Sequence, residues 1–115
     1  MLTRIVFFVF GGFAMMGLLS PPAGAAGDPV SGKTIYERLC VTCHGAQGKG
    51  DGPAGQMMTP RPADFTNPKI KGKPDSELIK SIQDGRPPTT MPAFKGQLSD
   101  QQISDVLAYV RSLSR

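Results

Sequence analysis

Three observations predict an all-α fold of three to four short helices joined by long loops. Apolar residues recur at helical spacing in three separate segments, and no stretch alternates apolar with polar residues as a half-buried strand would. The sequence between those segments is dense in breakers: the 115 residues include 14 glycines and 11 prolines, which leaves little room for long regular elements.

The chain opens on a segment expected to be removed. Arg4 supplies a positive start, Ile5 to Leu19 is an unbroken apolar run, Ser20-Pro21-Pro22 breaks it, and Ala23-Gly24-Ala25 is a small-residue cleavage pattern. Residues 1–26 therefore read as a secretory signal peptide, cleaved after Ala25 or Ala26, and residues 27–115 as one domain. Fifteen apolar residues fall short of the roughly twenty that span a bilayer, so the alternative, a retained anchor, needs cleavage to fail. No cysteine follows the leader to carry a lipid.

Within the domain, Ser31 reads as an N-cap for a helix from Gly32 to Cys43 with Ile35 and Leu39 on one face. Gly45 to Gly55 holds five glycines among its eleven residues and reads as loop; no Gly-Lys-Ser/Thr follows, so it is not a phosphate loop. Thr59 to Pro74 contains four prolines and is expected to be extended, with one short turn near Ala63-Asp64-Phe65. Asp75 caps a second helix, Ser76 to Asp84, with Leu78, Ile79 and Ile82 on one face and Gly85 at its C′ position. A proline-rich loop, Arg86 to Gly96, leads to the clearest helix. There Ser99 and Gln102 form a capping box, Leu98 and Ile103 a hydrophobic staple, and Ile103, Val106, Leu107 and Val110 an apolar stripe. Loops this long normally argue against an assignment in so small a domain. They make sense if they wrap a large planar ligand.

The ligand is named by Cys40-Val41-Thr42-Cys43-His44. C-x-x-C-H is the attachment pattern of a c-type haem: each thiol adds across a vinyl group and the imidazole binds iron. Cys40 precedes Cys43 and His44 by three and four residues, so a helix puts all three on one face. These are both cysteines and the single histidine of the chain. A redox-active dithiol would sit at a helix start in a βαβ fold, which nothing here suggests. A zinc site would have to take its fourth ligand from a distant carboxylate, since no second Cys/His pair exists. A disulfide across two residues would leave His44 without a task.

A domain this small has a marginal core unless a prosthetic group or cross-link completes it. The haem is thus expected to be part of the core, and the chain without it to be largely unfolded. Losing Arg4 with the leader leaves 12 Lys+Arg against 9 Asp+Glu, an excess that two haem propionates nearly cancel. The basic balance therefore does not point to nucleic acid, and no aromatic-plus-basic pattern appears. Lys69, Lys71 and Lys73, with Lys49 and Lys95, could form a positive rim for an acidic redox partner, or be solvated loop lysines.

One histidine excludes bis-histidine ligation within the chain. The iron's other position falls to a methionine, a lysine or an open site. Met1, Met15 and Met16 leave with the leader, so the thioethers are Met57, Met58 and Met91. Met57 and Met58 follow His44 by only 13 and 14 residues. Met91 follows by 47, on Pro87-Pro88-Thr89-Thr90-Met91-Pro92, where flanking prolines stiffen the chain. Met91 is the favoured ligand, with core filling as its alternative.

With these residues placed, the sequence from Gly32 to Leu113 resembles a class I c-type cytochrome. Cys40-x-x-Cys43-His44-Gly45, then Gly48-x-Gly50-Asp51-Gly52-Pro53, is similar to bacterial monohaem members, above all the small domains related to haem subunits of cbb-type oxidases. Met91-Pro92-x-Phe94 and a closing helix with Tyr109 match as well. Class II members differ, carrying the motif near the C-terminus of a four-helix bundle. The resemblance implies a small cytochrome c fold wrapped around one covalent haem c and its iron, with first and last helices crossing beside it. It also implies that a proline carbonyl accepts the His44 Nδ1 hydrogen, with Pro53 the candidate and Pro60 and Pro62 competing, and that Arg61 pairs with a propionate. The loop from Met58 to Asp64 departs from the mitochondrial type, so that type's contacts do not carry over. The function implied is a periplasmic electron carrier with His44 and Met91 as iron ligands, meeting redox partner proteins and catalysing no reaction of its own. A tightly bound haem subunit of a dehydrogenase or oxidase, and an open-site haem protein, are the alternatives.

Overall fold

The computed structural model of the protein describes residues 26–115, together with Gly11, Gly12 and Gly17. Apart from those glycines and Ala26, the expected leader lies outside the described residues. Five helices follow in order: α1 (Pro29–Leu39), α2 (Val41–His44), α3 (Pro68–Lys71), α4 (Asp75–Asp84) and α5 (Asp100–Leu113), with a 3-10 turn at Gly55–Met57. The described residues form no strand; an isolated bridge joins Lys95 and Leu98. None of the described helices is long and apolar enough to cross a membrane.

Helix α1 starts three residues earlier than the sequence predicts. Asp28, not Ser31, is the N-cap: its carboxylate accepts from the backbone N–H groups of Val30 and Ser31 at 3.0 and 3.2 Å, and Pro29 follows as a ready-made first helical residue. Both cap bonds hold the Asp28 carboxyl below its usual range, after the larger effect of the Ser31 hydroxyl. The helix also does not run unbroken to Cys43. Cys40 departs to φ −117°, ψ −34°, and α2 begins afresh after it.

The core is where α1 crosses α5. Ile35 and Tyr36 of α1 meet Ile103, Val106 and Val110 of α5, with Phe94 and Leu98 closing one end. Gly32 permits the close approach: a Cβ there would lie 1.9 Å from the Asp105 carbonyl oxygen. Gly32→Ala is therefore expected to destabilise the haem-loaded protein by about 1–3 kcal/mol, the usual cost of overpacking, read as a lower urea midpoint. The buried Asp105 side chain fixes the same crossing, accepting from the Asp28 backbone at 2.8 Å and from Gln101 at 2.9 Å.

Helix α5 begins as the sequence predicts. Ser99 Oγ accepts from the Gln102 N–H, the Gln102 side chain accepts from the Ser99 N–H, and Leu98 and Ile103 are both buried. Its far end is anchored by Arg111, whose guanidinium donates to the carbonyls of Lys71 and Lys73 and to Asp75. That fork holds α3 and the start of α4 against α5. Helix α4 takes Asp75 as its first residue, with Pro74 at the cap, and ends at Gly85 with φ +68°. Helix α3 was not expected. Asn67 caps it through the Lys69 N–H, and Pro68 sets its first turn.

Candidate functional site

Between these helices lies a cavity of about 340 Å³, within the range of small-molecule and cofactor sites, about 300–1,000 Å³. Its walls are mainly apolar: Leu39, Phe65, Ile70, Leu78, Ile82, Phe94, Leu98, Val106, Leu107 and Val110 all face it. Of the residues singled out by sequence, Cys40, Cys43, His44, Arg61 and Met91 line it, and Pro53 does not.

One turn of backbone presents the first three. The His44 N–H donates to the Cys40 carbonyl at 2.9 Å and the Cys43 N–H to the same oxygen at 3.2 Å. The glycine-rich loop then folds back along this turn, with Gly50 N–H bonded to the His44 carbonyl at 2.8 Å and Gly52 N–H to the Cys43 carbonyl at 3.1 Å. Gly52 has no room for a side chain, since a Cβ would stand 2.3 Å from the Thr42 oxygen. Pro53 consequently sits on the exposed outside of the fold-back, away from the imidazole.

His44 is oriented instead by Ala63, whose carbonyl oxygen lies 3.3 Å from Nδ1. A carbonyl can only accept, so Nδ1 carries the hydrogen. Burial pushes the His44 pKa below its usual value, against the opposing pull of that same carbonyl, so the ring is neutral and Nε2 keeps its lone pair. Phe65 stacks on the ring at 4.6 Å between centroids and 19° between planes, fixing its rotation. The expectation for Pro53 is thus corrected: the orienting carbonyl comes from the 60–65 arm. Nothing local in the sequence marks Ala63, because alanine contributes only backbone.

Cys40 differs from a redox-active thiol. Cys40 is pushed up to about 11 by burial, with Cys43 adding to the shift, whereas reactive dithiols have a lowered value. Behind the two cysteines the Tyr36 hydroxyl, fully buried, donates to the Gly45 carbonyl at 2.6 Å and meets Tyr109 edge-on. Burial drives the Tyr36 pKa well above its usual 10, with the Cys40 charge a smaller contribution. Unfolded tyrosine loses its proton above about pH 10 while the native one keeps it, so stability falls there as pH rises. Tyr36→Phe is expected to remove that alkaline fall while lowering neutral-pH stability by about 0.5–1.5 kcal/mol, since the Gly45 carbonyl loses one donor and keeps the Gly48 N–H at 3.1 Å. Urea titrations at two pH values read both.

Met91 arrives from the other side. Its carbonyl accepts from the Arg86 N–H at 3.2 Å, and Phe94 N–H bonds to the Ile82 carbonyl at 3.0 Å, which ties the loop to the end of α4. Met58 also lines the cavity, whereas Met57 is 85% exposed and outside it. Of the expected lysine rim only Lys73 reaches the cavity wall, and it pairs with Glu77. Arg61 is exposed at the cavity edge.

The family model for cytochrome c matches residues 29–114. The chain belongs to the cytochrome c family. Cytochrome c-554(547) of Halothiobacillus neapolitanus is 33% identical over 95 residues, covering 76% of this chain and 99% of that one. The cbb3-type oxidase subunit FixP of Bradyrhizobium diazoefficiens is 35% identical over 86 residues, 75% of this chain but only 28% of FixP. Among solved structures, cytochrome c6 of the diatom Phaeodactylum tricornutum aligns with a TM-score of 0.55 and 28% identity over 76% of this chain and 95% of that one. The protein is thus a class I monohaem c-type cytochrome carrying covalent haem c with its iron. The residues present fit that group: an apolar cavity brings together two thiols from one helical turn, a neutral imidazole with its Nδ1 occupied, and thioethers from other walls.

Proposed function

We propose that the protein is an exported, periplasmic electron carrier that holds its haem through Cys40 and Cys43, with His44 and Met91 as iron ligands. The observation that carries this reading is the apolar cavity on which His44 and Met91 converge from positions 47 residues apart. Bound in it, the haem supplies a one-electron iron couple, and thioether ligation favours a raised potential. The chain's part is to hold and to exclude. Ala63 and Phe65 fix the imidazole, the Arg86–Met91 and Ile82–Phe94 backbone bonds hold the thioether loop, and the apolar walls keep water from the centre. The side chains bind and orient without making or breaking substrate bonds. Arg61, exposed at the cavity edge, is the proposed partner of a propionate. Removal of residues 1–26 would release the domain to diffuse between partners, docking over less than about 1,200 Å² as brief redox encounters do.

The ferric protein is expected to show the long-wavelength sulfur-to-iron charge-transfer band of thioether ligation. Its absence, with rapid CO binding to the ferrous form, would support an open-site haem protein instead. The likeness to a segment of FixP favours a second reading, a haem subunit held in a larger redox complex. Gel filtration of native extract, followed at the Soret band, separates the two: elution near the mass of one domain supports the carrier, co-elution with a larger assembly the subunit.

A further inference from the structure

Two walls of the cavity come from segments far apart in sequence: the arm Met58–Phe65, which orients His44, and the loop Arg86–Pro92, which carries Met91. The loop is braced within itself by the Arg86 N–H on the Met91 carbonyl and by Thr89, whose Oγ1 accepts from the Met91 N–H at 3.3 Å, and it is tied to α4 by the Arg86 guanidinium, which donates to Ser81 Oγ at 3.0 Å. Toward the arm, the described residues make one hydrogen bond. The Thr90 hydroxyl donates to the Met58 sulfur at 3.2 Å, across 32 residues of sequence. Met58 is half-buried and lines the cavity, and Thr90 lines it as well.

We infer that Thr90 is a positioning residue, whose bond to the Met58 thioether clasps the Met91 loop to the His44 arm and limits how readily the Met91 sulfur leaves the iron. The inference rests on Met91 ligation as proposed above. A thioether is a weak acceptor, and a bond to it constrains without immobilising. It lies next in sequence to Met91, so any outward swing of Met91 must break it or move Met58. The same bond gives Met58 a use other than ligation: its sulfur is engaged by the residue adjoining the ligand.

The test uses the haem-loaded protein and cyanide as the probe of the ferric iron. Thr90→Val keeps the shape and removes the donor; Met58→Leu removes the acceptor; Thr90→Ser restores the donor. Thr90→Val and Met58→Leu are each expected to speed cyanide association about fivefold, which corresponds to ~0.98 kcal/mol at 1.4 kcal/mol per tenfold. The double variant is expected to be no faster than either single one, with Thr90→Ser at the wild-type rate. Urea midpoints measured alongside separate a local effect on Met91 from general loosening, which would shift both together. Wild-type rates in Thr90→Val, or effects that add in the double variant, would overturn the clasp. If the wild-type protein lacks the charge-transfer band and Met91→Ala leaves its cyanide rate unchanged, the ligation reading fails and the clasp with it. A band present beside an unaltered Thr90→Val rate sinks the clasp alone.

Discussion

Replacing Cys40 and Cys43 together by alanine is expected to abolish the cooperative native fold of the haem-free chain. Eight apolar side chains are buried among the described residues, and most belong to the single α1–α5 crossing. The other helices add no fully buried apolar side chain of their own; α3 and the start of α4 meet α5 through Arg111, and α4 shares with the crossing an apolar-walled cavity of about 340 Å³. With no group fixed between them, those apolar walls face water, which opposes folding by roughly 25 cal/mol for each Å² left exposed. A small domain has a net stability of only about 5–15 kcal/mol, so an interior left partly exposed has little margin. The walls of α4, the 60–65 arm and the Met91 loop should therefore collapse or unfold when nothing is covalently fixed between them. Circular dichroism during heating is expected to show weak helicity and no sigmoidal transition. A sharp cooperative melt in this variant would mean that the helices suffice without the group, and that the cavity closes at little cost.

Met91→Ala is expected to lower the reduction potential and open the iron. Axial ligands span roughly 0.8 V of haem potential, and loss of a thioether should move this protein by on the order of a few tenths of a volt toward reducing values. The charge-transfer band should vanish, and the ferrous protein should bind CO. The backbone bonds that position the loop involve the Met91 carbonyl and N–H, not its side chain, so the loop's path should survive the substitution. If potential and CO binding both stay as in the wild type, Met91 is not the ligand, and Met58, the other thioether on the cavity wall, becomes the one to replace next.

The sequence by itself determined the features whose causes lie within a few residues. Ser99 and Gln102 reciprocate across one turn, so the start of α5 could be placed from their types alone. The spacing in Cys40-x-x-Cys43-His44 fixes three groups to one helical turn wherever that turn lies, and the Cys40 carbonyl indeed receives both later N–H groups. The stripe Ile103, Val106, Leu107 and Val110 is buried as its period requires. Tertiary structure decided what depends on the path of the chain. The Asp28 cap of α1, made locally with Val30, Ser31 and Pro29, is held in place by Asp105, 77 residues away. The His44 ring bonds to Ala63, 19 residues on, because the glycine loop turns Pro53 outward and brings the 60–65 arm inward. Phe65 on the imidazole, Arg111 on α3 and α4, and Thr90 on Met58 have the same origin. Residue type announces a local hydrogen bond because both partners are near in sequence; a backbone carbonyl delivered by a loop carries no such mark until the fold has brought it there.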